Sequence, residues 1–308
     1  MIFPVSNMVF FNKKKRNRRG FTLIEILVVF ASVVIFLSLI LVAIQNARVA
    51  ALRLQCINNQ KNIGIALLNY HFNQQCFPPG MCKTIFDGKL PYLSWNSLLL
   101  PYLEQNNLLQ DIYQAFEKDT SFLKVPPHIN RSTVVKNFVC PGDSHSSQSH
   151  KLNGPDGQVV AFTNYLGVEG TNQFDHDGIL FVDSSVRSSD ITDGLSSTLL
   201  VGERPPSQDY TLGWWYAGWG INQAGSAEMV LGVREMPENL LDCPPIPAKF
   251  KMGTFESPCE FLHFWSYHPG GSNFLFADGS VRFLTYEADA ILPALATKAS
   301  GDIPEVQS

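Results

Sequence analysis

The chain has 308 residues, with 23 Lys and Arg against 27 Asp and Glu and a formal net charge of −4. Six of the basic residues crowd into residues 13–19 beside no acid, so the rest carries 17 basic and 27 acidic residues. An acidic body excludes a nucleic-acid-binding surface, which needs a basic stripe to neutralise phosphates.

Residues 21–44 form an apolar run of 24 residues whose only charge is Glu25. As a helix it is about 36 Å long, enough to cross a hydrocarbon core of about 30 Å with some tilt. A lone carboxylate there is costly and marks a functional site. The basic stretch before it stays cytoplasmic by the positive-inside rule, so the C-terminal part is translocated. The run exceeds the h-region of a secretory signal peptide, and no small-residue cleavage site follows. Both Met1 and Met8 give a sensible start.

From residue 45 to 72 the pattern turns amphipathic without a break. Leu52, Cys56, Ile63, Leu67 and Tyr70 recur at helical spacing, with Asn59 a polar gap. No Pro falls between Phe21 and Tyr70, which predicts one helix of about 50 residues. Pro78-Pro79-Gly80 ends it. Residues 93–116 read as short helices with Ser94 as N-cap and a division at Pro101. Strands are predicted over 133–139, 160–167, 179–183, 197–202 and 212–219. Residues 272–286 read as a hairpin about Asp278-Gly279 with a two-residue type I′ turn. A short helix over 287–299 and a loose tail, 301–308, close the chain. The remainder after the leader and membrane run, about 260 residues, suffices for one large domain or two small ones. The fold class is α+β.

Residues 20–25, Gly-Phe-Thr-Leu-Ile-Glu, resemble the processing motif of type IV prepilins and type II secretion pseudopilins. The resemblance implies a cytoplasmic leader, 1–20, cut after Gly20 by prepilin peptidase, with N-methylation of Phe21. It also implies pairing of Glu25 with the Phe21 amine of a neighbouring subunit. An ammonium and a carboxylate attract strongly in low dielectric, so the physics agrees. The implied fold is pilin-like: residues 21–44 in the bacterial inner membrane, 45–72 laid on a mainly antiparallel β head, and an ectodomain over 73–300. The N-terminus is then cytoplasmic, and the head is periplasmic or on a cell-surface filament. Partners would be prepilin peptidase and other prepilin-like subunits, in homo- or hetero-assembly, with no cofactor and no enzymatic activity. The alternative is a membrane-tethered module whose head captures a solute, glycan or protein partner.

A second resemblance covers nearly the whole chain in order. His268, nine residues, then Asp278-Gly279 is similar to the tail signature of a large bacterial family of prepilin-like proteins whose ectodomain has no assigned function. Residues 55–71 (QCINNQKNIGIALLNYH), 94–105 (SWNSLLLPYLEQ), 138–143 (FVCPGD), 163–170 (TNYLGVEG) and 191–203 (ITDGLSSTLLVGE) fit the same family.

Three sets of residues invite chemistry. His268 and Asp278 could orient a general base, yet no Ser sits in a G-x-S-x-G context. The simpler expectation is that His268 bonds the turn backbone and fastens the hairpin. Asp175 and Asp177, in a Gly-bounded turn, are weak calcium candidates without an EF-hand pattern. Trp214, Trp215, Tyr216 and Trp219 offer either core packing or a partner or glycan surface. The six Cys lack Cys-x-x-Cys spacing. Export favours disulfides over free buried thiols, with Cys76–Cys82 and Cys243–Cys259 plausible locally and Cys56–Cys140 left over.

Overall fold

A computed structural model describes residues 20, 22–84, 88–152, 157–237 and 243–302. The chain divides between Arg48 and Val49 into two compact units. Phe21, the leader before Gly20 and the last residues of the tail lie outside the described residues.

The first helix, α1, runs Leu23–Gln74 without interruption over 52 residues. In the first unit its apolar side chains, Leu23 to Ile44, point outward on all sides. Composition and length suit this stretch to a membrane. Its start carries a capping box. The Thr22 N–H donates to Glu25 Oε2 at 2.7 Å, and the Glu25 N–H donates to Thr22 Oγ1 at 3.3 Å. Two of the amides at the helix start, which have no partner within the helix, are thereby satisfied.

In the second unit α1 becomes one-faced, burying Cys56, Gln60, Ile63, Gly64, Ala66 and Leu67. Short strands β1 (Met81–Cys82) and β2 (Leu93–Ser94) pair antiparallel. Helix α2 (Trp95–Leu98) follows, capped by Ser94 Oγ accepting from the Ser97 N–H. A 3₁₀ turn, Leu100–Leu103, holds Pro101 in its first turn and separates α2 from α3 (Asn106–Lys118). Strands β3 (His150–Lys151) and β4 (Val159–Val160) form a second small pair.

The main sheet has five strands: β5 (Tyr165–Gly170), β6 (Leu199–Glu203), β7 (Val230–Gly232), β8 (Gly271–Phe276) and β9 (Val281–Thr285). Their order is β7-β5-β6-β8-β9, antiparallel except for β5 with β7. Apolar side chains are buried on both faces. Leu275 of β8 joins Ile63 and Leu67 of α1 in one core, while Phe274 and Phe276 join Leu292 and Leu295 in the other. The latter two belong to α4 (Leu292–Ala296), which follows a 3₁₀ turn over Tyr286–Ile291.

Several expectations need correction. Residues 133–139 hold a 3₁₀ turn, Lys136–Phe138, and bury Val135 and Phe138 as single anchors. Residues 179–183 contribute one bridge, Val182 with Met81. Residues 212–219 contribute two, Trp214 with Phe162 and Ala217 with Leu93, which belong to different segments, so no continuous ladder forms. The hairpin exists, but its turn has three residues. Gly279 N–H donates to Phe276 O, Phe276 N–H donates to Ser280 O, and Gly279 is left-handed at φ 84°. That is a type I turn closed by a glycine bulge. Asp278 escapes the left-handed region because its N–H is held by Leu195 O and its carboxylate by the Ser280 N–H.

The cysteines bond as Cys56–Cys140 and Cys243–Cys259, and Cys76 and Cys82 are free thiols. The Cys76–Cys82 pairing fails for a backbone reason. Between them Phe77 N–H donates to Val186 O and Gly80 N–H donates to Phe181 O. The segment therefore runs out along residues 181–186 and does not fold back on itself.

Candidate functional site: a buried polar centre and the start of α1

Sequence-distant motifs meet at one buried centre. Cys56 comes from α1 and Cys140 from the turn after Lys136–Phe138, and their disulfide joins the two. Glu203 is the last residue of β6, His268 precedes β8, and Asn273 lies within β8. All five are buried. His268 Nε2 lies 3.5 Å from Cys140 Sγ and 3.6 Å from Glu203 Oε1.

Neighbours hold each group in place. Glu203 accepts from the Asn273 N–H at 2.8 Å and from Asn273 Nδ2 at 3.1 Å on both oxygens. Gln60 of α1 donates to Asn273 O at 3.0 Å. Asn164 Oδ1 accepts from the Cys140 N–H at 2.7 Å and from Ser146 Oγ at 2.6 Å, while its Nδ2 donates to Asp143 Oδ2 at 2.7 Å. Tyr165 Oη donates to Cys56 O at 3.4 Å. Each unmet buried polar atom costs about 1–3 kcal/mol, and at this centre Gln60 Oε1 and Asn273 Oδ1 are buried without a partner.

His268 thus does not fasten the hairpin turn. It faces the disulfide and Glu203 from the start of β8, and Asp278-Gly279 sits beyond the strand's other end. The two residues do not form a catalytic pair. Among the described residues, no hydroxyl nucleophile approaches the His268 ring within hydrogen-bond reach. A cavity of about 10 Å³ touches Cys140, Asn164, Glu203 and Ser266, room for about one water and far from a substrate pocket.

The other candidates resolve into structure. Asp177 takes the Thr171 N–H on Oδ1 and Thr171 Oγ1 on Oδ2, both at 2.7 Å, so it closes its turn; Asp175 binds Asn172 Nδ2 at 2.6 Å. Trp214, Trp215 and Tyr216 are core, and Trp219 alone is exposed, at 44%. Asn59 spends its amide on Val139 O at 2.8 Å, which explains the polar gap in the α1 stripe. Sequence reasoning gave no role to Glu203, Asn164 or Asn273. The signal was there: a carboxylate closing the apolar run LLVGE and an amide inside the strand SNFLF.

At the start of α1, Gly20 is exposed, Phe21 lies outside the described residues, and Glu25 is exposed with Thr22 as its hydrogen-bond partner.

A leader with this motif, an apolar first helix and an α+β head define a prepilin-like, membrane-anchored subunit that is processed by prepilin peptidase. A family model for the prokaryotic N-terminal methylation motif matches residues 15–31. A second, described as a protein of unknown function (DUF1559), matches residues 45–290, so the chain belongs to that family. No curated protein matches the chain, and no solved structure does.

Proposed function

We propose that this subunit assembles through α1 with copies of itself or with related prepilin-like subunits, in a system of the type IV pilus or type II secretion kind. The observation that carries the reading is the first half of α1. It exposes apolar side chains all round and a single carboxylate at its start. Lipid accepts the former and penalises the latter, so Glu25 needs a cation from outside its own helix.

In this reading cleavage after Gly20 leaves a methylated ammonium on Phe21. That ammonium on one subunit replaces the Thr22 amide as the partner of Glu25 on the next. A charge-assisted contact in low dielectric then favours one axial register of the packed helices. The chain crosses the inner membrane once, with its leader cytoplasmic and its head periplasmic. It is a substrate of the peptidase and performs no catalysis. The buried centre around His268, with room for about one water, supports a structural role for the head's polar groups.

Mass spectrometry of the membrane-extracted protein tests this directly. The expected N-terminus is N-methyl-Phe21, and an intact Met1 or Met8 refutes it. Glu25→Ala should be processed normally yet yield few cross-links between Cys-substituted first helices. Unchanged cross-linking would remove the register role.

A further inference from the structure

The buried centre contains a ligand set that its disulfide conceals. One atom each from Cys56, Cys140, Glu203 and His268 lies within 4.8 Å of every other. Two thiolates, an imidazole and a carboxylate are a donor set suited to a tetrahedral zinc-class cation. Two measured edges fit. Bonds of about 2.3 Å to sulfur and about 2.05 Å to nitrogen put those two ligands about 3.5 Å apart in a tetrahedron, and nitrogen and oxygen about 3.3 Å apart. The structure has Cys140 Sγ to His268 Nε2 at 3.5 Å and His268 Nε2 to Glu203 Oε1 at 3.6 Å. The three other edges, from Cys56 to His268 and to Glu203 and from Cys140 to Glu203, lie within 4.8 Å, and the sulfur–sulfur edge is closed by the disulfide. It must open to about 3.7 Å, which parting the disulfide allows.

We propose that the reduced chain binds one zinc-class divalent cation at Cys56, Cys140, Glu203 and His268, so that metal and disulfide are alternative staples for the same joint. The exchange balances. A dithiol gives two electrons and two protons to the Cys56–Cys140 bond and becomes a disulfide itself, leaving two thiols. The cation then displaces both thiol protons to solvent. Glu203 ligates through a carboxyl oxygen and His268 through Nε2.

The surroundings are already those of a metal site. Asn273 holds both oxygens of Glu203, and Asn164 fixes the Cys140 backbone. Partners of this kind aim the ligands and set metal affinity. A cavity of about 10 Å³ touches two of the four ligands, Cys140 and Glu203. Either staple joins the same two segments, α1 at Cys56 and the turn at Cys140, so the head keeps its closure in both redox states. Neither staple requires filament assembly.

Cys76 and Cys82 are the rival thiols. Among the described residues neither belongs to a group of three or more candidate ligand atoms.

The test uses the full chain in detergent, reduced with dithiothreitol, freed of it under anaerobic conditions, and titrated with Co²⁺ and then Zn²⁺. The expected result is a thiolate-to-cobalt absorption band saturating at one Co²⁺ per chain and bleached by one Zn²⁺. The oxidised chain should show none. Cys76→Ser/Cys82→Ser should keep the band. His268→Ala and Glu203→Gln should weaken Co²⁺ binding by more than about 100-fold, beyond the loss expected for a merely supporting residue. Cys140→Ser, judged folded by tryptophan fluorescence, gives a second reading should those variants not fold, and should abolish the two-thiolate band. A reduced wild type without the band, a band that survives Cys140→Ser, or a disulfide that dithiothreitol leaves intact in the folded chain overturns the proposal.

Discussion

Raising the pH from 5 to 8 should destabilise the head. Glu228 and Glu235 are buried acids. Burial pushes Glu228 up to about 8, outweighing the Trp214 N–H and the Arg204 charge that pull it down. Burial likewise lifts Glu235 to about 7, against hydrogen bonds from Ser226 and Gly232. Glu169, close by with both oxygens buried, is raised as well, by burial and then by the Glu235 charge. All three have folded values above the 4.5 of the unfolded chain. Their contribution is fully present below 4.5 and is lost as pH rises through 7 and 8, because the folded state must release protons it holds. Each group costs about 1.4 kcal/mol per pH unit, so Glu228 and Glu235 together cost on the order of 5–8 kcal/mol by pH 8. A domain typically has about 5–15 kcal/mol to lose. The acid side behaves oppositely. Burial pushes Asp209 up, yet hydrogen bonds from Ser207 and Thr211 hold it below 3.8, so its contribution disappears as pH falls past that value. Urea midpoints of the full chain in detergent, followed by tryptophan fluorescence, should therefore peak at about pH 4–4.5, the interval between the two unfolded values, and fall steadily to pH 8. Glu228→Gln keeps an acceptor for the Trp214 N–H and should flatten the alkaline limb. A wild-type midpoint that is level from pH 5 to 8 would refute the assignment.

Removing the Cys56–Cys140 staple should cost more than its small core contacts suggest. The bond closes a loop with a sequence separation of 84, and the loop-entropy estimate is about 4–5 kcal/mol. Urea unfolding of oxidised Cys56→Ser/Cys140→Ser with a chelator present measures it, and a loss below about 1 kcal/mol would show that the bond constrains little. Gly64→Val should destabilise by about 1–3 kcal/mol through overpacking. A Cβ at Gly64 falls 2.8 Å from Leu275 Cδ1 in the core; a thermal midpoint equal to wild type would contradict that close approach.

The long helix was legible because its two signals are local. Twenty-four apolar residues and a following 3.6-residue stripe need no knowledge of what they contact, and the observed α1 ends within two residues of the expected boundary. The hairpin was legible for the same reason, through Asp278-Gly279 between alternating runs. Its turn type was not. The choice between one left-handed residue and two depends on Leu195 O, which holds the Asp278 amide from 83 positions away in sequence. Strands were misread where aromatic and β-branched residues serve as isolated anchors. Trp214, Trp215 and Tyr216 look like a strand and fill a core, while β7 (Val230–Gly232) is too short to stand out.

The buried centre was visible only as separate motifs, and geometry explains why they converge. Four helical residues advance about 6 Å, and two strand residues advance about 6.7 Å. A row at Cys56, Gln60 and Gly64 can therefore keep step with β8. Gln60 meets Asn273, and Gly64 meets Leu275. One step back along the row, Cys56 reaches the His268 end of the strand. One step forward, Leu68 reaches the hairpin, where its Cδ1 lies 3.0 Å from a Cβ built on Gly279. The interval from His268 to Asp278 is then the length of strand that α1 covers. It has a disulfide-bonded polar knot at one end and a glycine-closed turn at the other. That placement gives the spacing a structural cause: lengthening the interval by one residue would reverse the faces of β8, sending Asn273 away from Glu203 and Leu275 away from Gly64.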